Sequence, residues 1–411
     1  MAGAVETRLS VACVHVSAQL GGSEWSLLDF ARRAAAHAID AIVVLPKEGP
    51  LADALRQAGV RTAIARAPED FLELSQRRMV TVEGAFVLLR GLYQWSRAIA
   101  AELAHAEAAG ALKAQVLYSN GFKAHLVCAL LFGPRRVWHL REFPPEKFRV
   151  AWRALGGTLP HGAVANSQAV ADAWRFGGLT SPVVVHNGVD LDRFHPAPRT
   201  GWIHGQLDIP SGARLIGMPA VFARWKGHLQ VVEAFERVAE ELPDVHLVLV
   251  GAAIYDTSAE RGYAEELVRR VGRASLPGRQ TQPLNDRIHF LKFHAEPWRL
   301  YPEFDVVVHF STRPEPFGRV VAESLASGVP AIAAAAGGPL EILEPGVTGW
   351  LVPPGDVGAL AAQLVASLGA DRSAMGAACR RAAEERFSAD RYAAEVAHAL
   401  RAVATPSAPP R

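Results

Sequence analysis

Short apolar runs that alternate with helix-forming segments restrict the fold of this chain more than any other feature of the sequence. The runs are rich in Val, Ile and Ala, and they form two series. The first series comprises Leu9–Val16, Ala41–Leu45, Gln115–Tyr118, Arg136–Leu140, Gly162–Ala165 and Val183–Val185. The second comprises Leu215–Met218, His246–Val250, Ile288–Leu291, Asp305–His309 and Ala331–Ala334. Apolar strands separated by helices indicate parallel sheets covered on both faces, so the sequence predicts an α/β protein with two doubly wound domains.

The stretch between the two series marks a domain boundary. Residues 196–212 are rich in Pro and Gly and show no sustained hydrophobic period. We therefore expect a first domain at 1–195, a linker with some local structure at 196–212, and a second domain at 213–385. The remaining residues, 386–411, are expected to form a helix that packs back on the first domain, followed by a frayed tail. Two such domains would face each other across a deep cleft.

Composition excludes several classes of protein. Half of the 411 residues are hydrophobic and 20% are charged, which excludes a disordered chain. A formal net charge of +2 gives no general affinity for nucleic acid. Three distant cysteines without C-x-x-C spacing argue against a disulfide framework and against a structural zinc site. Since no targeting segment or membrane span is evident, we expect a cytoplasmic protein, with the inner face of the membrane as an alternative location.

Two carboxylates eight residues apart follow the fourth apolar run of the second series. Glu315 lies in the loop after this strand, at the carboxyl end where open α/β sheets bind ligands. The backbone N–H groups of Phe317, Gly318 and Arg319 are expected to be unpaired at the start of the next helix, which suits a phosphate. Glu323 lies one to two turns into that helix, where its carboxylate can accept hydrogen bonds from a diol such as a ribose.

This motif resembles the Glu-x7-Glu signature of retaining glycosyltransferase family 4, whose members have the GT-B fold. Other segments resemble the family in the expected order, and the resemblance covers nearly the whole chain. They are "GGSEWSLLDFARR" (21–33), "VVHNGVDLDRFHP" (184–196), "DRIHFLKF" (286–293) and "GVTGWLVPPGD" (346–356). The resemblance implies a C-terminal domain that holds a nucleotide-diphosphate sugar and an N-terminal domain that presents the acceptor.

The resemblance also implies roles for the residues of the motif. Glu315 would contact the hydroxyls of the donor sugar at the reaction centre, and Glu323 would bind the ribose. The amides of Phe317, Gly318 and Arg319 would help to hold the sugar and the diphosphate. The alternative is an ordinary helix whose Glu residues are solvated or paired in salt bridges.

A lysine in the second domain resembles the phosphate clamp of the family. Lys226, followed by Gly227, would neutralise the leaving diphosphate. The arginine that family members usually carry a few residues earlier is replaced by Val221. Arg224 is the obvious substitute, because a guanidinium grips phosphate in a bidentate manner. The alternative is that Arg224 is a surface residue and that the choice of donor is altered.

Two features of the N-terminal half complete the set of candidate site residues. By resemblance, the loop that contains Gly22 covers the donor diphosphate, although a Gly-Gly pair also suits any tight turn. Ser23 is expected to cap the helix after this loop, and Ser167 to cap a later one. His139 lies at the end of an apolar strand, where a histidine of the family contacts the donor sugar. A histidine in such a place is more often structural.

A basic segment at 123–153 is a feature that the resemblance to the family does not explain. Its basic residues are Lys123, Arg135, Arg136, Arg141, Lys147, Arg149 and Arg153, and its aromatic residues include Trp138, Phe143, Phe148 and Trp152. Basic and aromatic residues together favour peripheral contact with a membrane or with an anionic lipid-linked acceptor. The alternative is a solvated face with buried aromatic residues.

The sequence thus predicts a retaining glycosyltransferase that moves a sugar from a nucleotide-diphosphate sugar to a glycan, a lipid-linked glycan or a small natural product. We expect no metal and no cofactor, because no Asp-x-Asp of the kind used by metal-dependent transferases follows a strand. The alternatives are a nucleotide-sugar epimerase, a phosphorylase or a catalytically silent sugar-binding protein. A dinucleotide-dependent oxidoreductase is disfavoured, because no G-x-G-x-x-G follows a strand.

Overall fold

The computed structural model describes residues 8–75, 78–145, 149–156, 158–175, 182–252, 262–276, 279–294 and 296–405. The chain divides into two compact units. Unit 1 comprises Met1–Gly188 and Ala389–Arg411, and unit 2 comprises Val189–Ser388. Unit 1 is therefore discontinuous in sequence, whereas unit 2 is one continuous segment.

Unit 1 is built on a seven-stranded parallel sheet with the order β3-β2-β1-β4-β5-β6-β7. Its strands are β1 (Leu9–His15), β2 (Ile39–Leu45), β3 (Arg61–Ile64), β4 (Val116–Asn120), β5 (Arg135–Leu140), β6 (Gly162–Ala165) and β7 (Val183–Val184). Its helices are α1 (Gly22–Arg33), α2 (Pro50–Gln57), α3 (Glu69–Leu72), α4 (Val82–Ala108), α5 (Phe122–Ala129), α6 (Arg149–Gly156) and α7 (Gln168–Ala173). The chain leaves this sheet after β7 and returns to it at its C-terminus.

Unit 2 contains a six-stranded parallel sheet with the order β12-β9-β8-β13-β14-β15 and a separate antiparallel pair, β10-β11. Its strands are β8 (Arg214–Pro219), β9 (Val245–Val250), β10 (Ser275–Leu276), β11 (Arg279–Pro283), β12 (Ile288–Leu291), β13 (Val306–His309), β14 (Ala331–Ala334) and β15 (Gly349–Val352). Its helices are α8 (Trp202–Gln206), α9 (His228–Glu241), α10 (Tyr263–Val271), α11 (Arg319–Ala326), α12 (Pro339–Ile342), α13 (Val357–Leu368) and α14 (Arg372–Arg386). The last helix of the chain, α15 (Ala389–Ala404), belongs to unit 1.

The predicted doubly wound α/β fold is confirmed, and all eleven predicted apolar runs coincide with strands. The reason is burial on both faces: every residue of β9 is buried. Two edge strands were not predicted. The strand β3 carries no fully buried residue, so it lacks the apolar run of a central strand. The strand β15 has four residues and begins with a glycine.

Helices cover both faces of the unit 1 sheet. On one face, the side chains of β1 and β4 pack with α1, α2 and α15, as shown by the cluster that contains Phe30, Tyr118 and Leu400. On the other face, α4 and α5 contribute Trp95 and Val127 to a second cluster. The strand ends of this sheet are consequently the places where polar side chains can meet a ligand.

Residues 196–212 are packed into unit 2. Ile203 of α8 and Ile209 are buried in the same cluster as Phe304 and Val321. The division between the units falls at Gly188, earlier than the segment that the sequence suggested as a linker.

The basic segment at 123–153 does not form the aromatic surface that the sequence suggested. Trp138 and Trp152 are buried and pack with Trp174 in a core cluster of unit 1. The guanidinium of Arg141 donates to internal acceptors. The predicted membrane contact through this segment is therefore wrong for these residues. Lys147 and Phe148 lie outside the described residues.

Within the ranges that the structure describes, no helix is both long enough and apolar enough to span a bilayer.

Candidate active site

The strands β8 and β13 are neighbours at the centre of the unit 2 sheet. From β8 the strand order continues through β9 to one edge, and from β13 it continues through β14 to the other edge. Such a reversal of strand order opens a crevice at the carboxyl ends of the strands, where α/β proteins bind ligands. The loop after β8 carries Lys226, and the loop after β13 carries Glu315. The two loops are joined directly, because the N–H of Thr312 donates to the carbonyl oxygen of Trp225 at 2.7 Å.

The Glu315 carboxylate lies in a cluster of donors. Lys226 Nζ is 2.9 Å from Glu315 Oε2, and Ser311 Oγ donates to the same oxygen at 2.9 Å. His309 Nε2 is 3.5 Å from it. Among the described residues, these contacts all fall on Oε2. The lone pairs of Oε1 are thus available to a ligand that brings its own donors.

The charge state of this cluster follows from burial and from the ion pair. Burial disfavours the ionised form of Glu315, but the Lys226 ammonium and the neighbouring donors outweigh it and hold the pKa of Glu315 below its ordinary value. Burial lowers the pKa of His309 to about 4, although Glu315 opposes this shift. At neutral pH the carboxylate is therefore ionised, and the imidazole of His309 is neutral.

Two glycines that sequence reasoning missed fix the backbone of Glu315. The N–H of Glu315 donates to the carbonyl of Ala336, and the N–H of Gly338 donates back to the carbonyl of Glu315 at 2.8 Å. Gly337 has a φ of +75°, and a Cβ there would lie 2.2 Å from the Glu315 oxygen. A Cβ on Gly338 would lie 2.1 Å from the oxygen of Phe317. The available signal was the Gly-Gly pair that follows the strand β14.

The helix α11 begins where the sequence predicted a phosphate site. Its N-terminal cap is Gly318, whose φ of +99° is in the region that favours glycine. The Phe317 ring is buried and packs edge-on against Phe387, so its side chain anchors the loop in the core. The backbone N–H groups that begin with Arg319 point along the helix axis, as in any helix start.

Glu323 lies on α11 and is buried. Its Oε1 accepts from Arg319 Nε at 2.6 Å, and its Oε2 accepts from the Tyr301 hydroxyl at 2.5 Å. Burial, reinforced by the Glu323 carboxylate, raises the pKa of Tyr301 well above its ordinary value, so the phenol stays neutral and donates. Tyr301 was not predicted from the sequence, because it lies in a short 3₁₀ turn far from the motif.

Arg224, the predicted substitute for the missing arginine, is paired within unit 2. Its guanidinium is 2.5 Å from Glu266 Oε2 and lies over the ring of Tyr263 at 5.0 Å. Both partners belong to α10. The structure thus brings Lys226 to Glu315 but holds Arg224 against a different helix.

In unit 1, Gly22 is the first residue of α1, and the cap of this helix is Gly21. The expectation that Ser23 caps the helix is wrong, because its hydroxyl donates to Glu24 Oε2 at 2.8 Å. That carboxylate also accepts from the N–H of Gly21, which is one half of a capping box. A Cβ on Gly22 would meet nothing within 4 Å, so there is open space in front of this residue. The predicted cap at Ser167 is confirmed by its bond from the N–H of Val170.

His139 is fully buried at the end of β5. Its Nδ1 contacts the Tyr118 hydroxyl and lies 3.2 Å from a guanidinium nitrogen of Arg141. Burial, followed by the charge of Arg141, lowers the pKa of His139 well below its ordinary value. The ring is therefore neutral, and its chemistry at neutral pH is hydrogen bonding.

Within the described residues, no group of three or more His, Cys, Asp and Glu side chains is arranged to hold a metal ion.

Two families match this chain in series. The family described as Glycosyltransferase Family 4 matches residues 20–193, and the family described as Glycosyl transferases group 1 matches residues 202–386.

Curated relatives match parts of the chain. The D-inositol 3-phosphate glycosyltransferase of Mycolicibacterium gilvum (strain PYR-GCK) is 32% identical over 199 residues, which are 47% of this chain and 41% of that protein. Spore coat protein SA of Bacillus subtilis (strain 168) is 29% identical over 176 residues, or 41% of this chain and 44% of that protein. The matches span less than half the length of these relatives.

A solved structure matches almost the whole chain. The structure of HepE from Anabaena in complex with UDP-glucose superposes with a TM-score of 0.76 at 25% identity, and the match covers 96% of this chain and 100% of that one. The two sheets of the present chain agree with the two Rossmann-like domains of the GT-B fold. By its family matches and its fold, the chain belongs to the group 1 glycosyltransferases.

Proposed function

We propose that this chain is a retaining glycosyltransferase that moves a sugar from a UDP-sugar to the hydroxyl of a glycan, a lipid-linked glycan or a small natural product, without a metal ion. The observation that carries the proposal is the Lys226–Glu315 pair at the central strand ends of unit 2, beside the start of α11. UDP as the carrier is supported by the similarity to HepE, whose structure contains UDP-glucose.

Lys226 and α11 suit the leaving diphosphate. The diphosphate gains negative charge as the glycosidic bond breaks, and a preorganised ammonium and helix N-terminus stabilise this charge more in the transition state than in the substrate. Lys226 is largely buried and already held within the site, so little reorganisation is needed. For Arg224 to bind the diphosphate as well, its guanidinium would have to leave Glu266 and pair with a phosphate instead.

The two carboxylates suit the sugar and the nucleoside. An ionised Glu315 cannot serve as a general acid at neutral pH, but its Oε1 can accept hydrogen bonds from sugar hydroxyls. Glu323 accepts hydrogen bonds from Arg319 and Tyr301, and a carboxylate held in this way also suits the hydroxyls of a ribose. The protein then acts by orientation and by charge stabilisation. The leaving phosphate takes the proton of the acceptor on the same face of the sugar.

The first test is a thermal-shift titration with UDP-, GDP-, ADP- and dTDP-sugars, with and without EDTA. We expect stabilisation by a UDP-sugar that EDTA does not change.

Lys226→Met should lower turnover about 100-fold or more, the size expected when a donor to a developing charge is removed. Lys113→Met, which removes an exposed lysine of unit 1, is the matched control. Nuclear magnetic resonance of the product anomer tests retention, and an inverted product would contradict it.

Product analysis separates the alternatives. An epimerase would convert the nucleotide sugar without an acceptor, and a phosphorylase would need orthophosphate. A silent binding protein would be stabilised by the donor and would give no product with any acceptor. Each of these results would overturn the proposed transfer reaction while leaving the donor site in place.

A further inference from the structure

The long helix α4 of unit 1 carries a stripe of exposed apolar side chains. Four of them are more than half exposed: Val82 91%, Phe86 66%, Leu89 67% and Tyr93 59%. They follow one another at intervals of four, three and four residues, so they lie on one side of the helix. Single exposed apolar residues are ordinary on a protein surface, but a contiguous stripe marks a surface that binds a partner.

The core of unit 1 does not account for this stripe, because it holds the opposite side of α4. Trp95 and Ile99 are buried in the core, and Trp95 Nε1 donates to the carbonyl oxygen of Ala65 at 2.9 Å. Gly91 lies against the ring of Phe71, where a Cβ would be 2.3 Å from the nearest ring atom. These contacts fix the rotation of the helix about its axis, and the stripe therefore faces outwards.

The spacing of the stripe is that of a coiled-coil seam. Intervals that alternate between three and four residues belong to the a and d positions of a heptad, which pack against a second helix. In this frame, Phe86 and Tyr93 are a positions. Val82 and Leu89 are d positions, and these four residues form the α4 seam. The e positions beside the seam are all charged, namely Glu83, Arg90 and Arg97.

The charges beside the α4 seam favour a protein partner over an anionic membrane. A helix that binds such a membrane presents unopposed lysines and arginines beside its apolar face. Here Arg90 forms an ion pair with Asp70, and a guanidinium nitrogen of Arg78 is 3.5 Å from Glu83 Oε1. One flank of the seam thus carries both an acidic and a basic residue, so a second copy of the same flank can complement it.

A two-fold axis at the middle of the α4 seam makes the seam complementary to itself. When two copies of the helix lie antiparallel, Phe86 packs beside the partner's Leu89, and Val82 packs beside the partner's Tyr93. Every layer then pairs an a position with a d position. The seam has four such layers and is about 17 Å long, at 1.5 Å per residue.

The same axis brings opposite charges together. In an antiparallel pair, the e positions of both helices lie on the same side of the seam. Glu83 then faces the partner's Arg90 with an offset of about 3 Å along the axis, and the two-fold symmetry makes this pair twice. In a parallel pair, the e positions would instead face the g positions of the other helix, which include Ala85 and Leu92. Charge therefore selects the antiparallel arrangement.

We propose that α4 is the interface of a homodimer, in which the α4 seams of two copies pack antiparallel about a two-fold axis. Interfaces below about 1,200 Å² are typically transient. A seam of four layers is small, so we expect a dimer that dissociates at micromolar protein concentrations. The inference is independent of the proposed function, because it uses none of the residues assigned to the donor.

Sedimentation equilibrium of the full chain, from low to high micromolar concentration, tests the interface. We expect a monomer–dimer equilibrium in the wild type. Leu89→Glu should raise the dissociation constant about tenfold or more, because it puts a carboxylate into the seam twice in each dimer. Val150→Glu, which changes another exposed apolar residue of unit 1, is the matched control. Circular dichroism verifies that both variants are folded.

Disulfide formation tests the register of the two helices. The natural cysteines Cys13, Cys128 and Cys379 are buried, so they do not compete. An equimolar mixture of Val82→Cys and Tyr93→Cys proteins should form a crosslinked dimer on oxidation. Val82→Cys alone should not, because its two thiols would be about 17 Å apart along the axis.

The other outcomes overturn the proposal. A monomer at every concentration does so, as does a dimer that Leu89→Glu leaves intact. A crosslink in Val82→Cys alone would show a parallel pair and contradict the antiparallel register. Sedimentation with vesicles of phosphatidylglycerol and phosphatidylcholine tests the membrane as partner. A wild-type monomer that sediments with them, when Leu89→Glu does not, would assign the seam to the membrane instead.

Discussion

The two carboxylates of the Glu-x7-Glu motif have different partners. Glu315 is paired with the ammonium of Lys226, which comes from another loop. Glu323 is paired with Arg319 one turn earlier on its own helix and with Tyr301. Both are buried and bonded to donors, which suits acceptance of hydrogen bonds from a ligand better than transfer of a proton.

Replacement of Glu323 tests its assignment to the nucleoside. We expect Glu323→Ala to weaken binding of the nucleotide sugar about 100-fold, because hydrogen bonds to a charged group contribute about 1.5–3 kcal/mol. Tyr301→Phe is the matched control, since it keeps the carboxylate and removes one neighbour; its loss should stay below about tenfold. Calorimetry gives both affinities, and circular dichroism verifies the fold. A folded Glu323→Ala protein with wild-type affinity would refute the assignment.

Glu24 makes the stability of unit 1 depend on pH. Its pKa in the folded protein is lowered to about 2, from an ordinary value of 4.5. A depressed carboxyl pKa stabilises the fold above pH 4.5, and this contribution is lost as the pH falls towards 2. The difference corresponds to about 3 kcal/mol. The free energies of unfolding of wild type and Glu24→Gln in urea should therefore differ most above pH 5 and converge as the pH falls towards 2. A difference that is constant with pH would contradict the shifted pKa.

At the scale of the element, the site depends on the fit of two loops. The turn after β14 lies against the loop of Glu315 with almost no room, because Gly337 and Gly338 contact the backbone oxygens of Glu315 and Phe317. These contacts set the position of the Glu315 loop without any side chain.

Substitution of a turn glycine tests this fit. Gly337→Ala places a Cβ 2.2 Å from the Glu315 oxygen, so we expect it to displace the loop and to reduce transferase turnover at least tenfold. Gly346→Ala is the matched control. Its φ of +78° is close to the +75° of Gly337, but its Cβ would meet nothing within 4 Å. Both variants should lose about 1–2 kcal/mol from the positive φ, measured by urea unfolding. Equal turnover in the two variants would show that the contact is unimportant.

Prediction from the sequence succeeded where a residue's role depends on its neighbours in the chain. Central strands can be recognised in the sequence from their apolar runs, and Glu315 and Glu323 belong to one local motif. Prediction from the sequence failed where the residues in contact come from distant segments of the chain. The hydroxyl of Tyr301 contacts Glu323, which lies 22 positions later in the chain. Trp138 and Trp152 lie among charged residues in the sequence, but in the fold their side chains are buried in a core cluster of unit 1.

At the scale of the whole molecule, unit 1 is completed by the last helix of the chain. Seven residues of α15 are buried, including Tyr392, Val396 and Leu400. Arg141 donates to the Tyr392 hydroxyl at 2.8 Å and to Asn120, so the helix also supports the residues around His139. The sheet of unit 1 thus depends on α15 both for its core and for the position of Arg141 beside His139.

Deletion of residues 389–411 tests this dependence. Each fully buried large apolar side chain contributes about 1.5–3 kcal/mol, and the sum for α15 approaches the whole stability of a domain, about 5–15 kcal/mol. We expect hydrogen exchange of β1 and β5 to lose protection while β8 and β13 keep it. Asp390→Asn, which changes an exposed side chain of the same helix, is the control. Wild-type protection of β1 in the truncated chain would contradict the expectation.

The discontinuity of unit 1 also sets the order of events during synthesis. The strand β1 is synthesised before unit 2, but the helix α15 that packs on its sheet is synthesised after the whole of unit 2. At a synthesis rate of about 5–20 residues per second, the sheet of unit 1 lacks α15 for on the order of tens of seconds. Unit 2, a single continuous segment, can close its own core during that interval. Unit 1 is thus completed only after unit 2 has been made, so its sheet stays without α15 while the other unit folds.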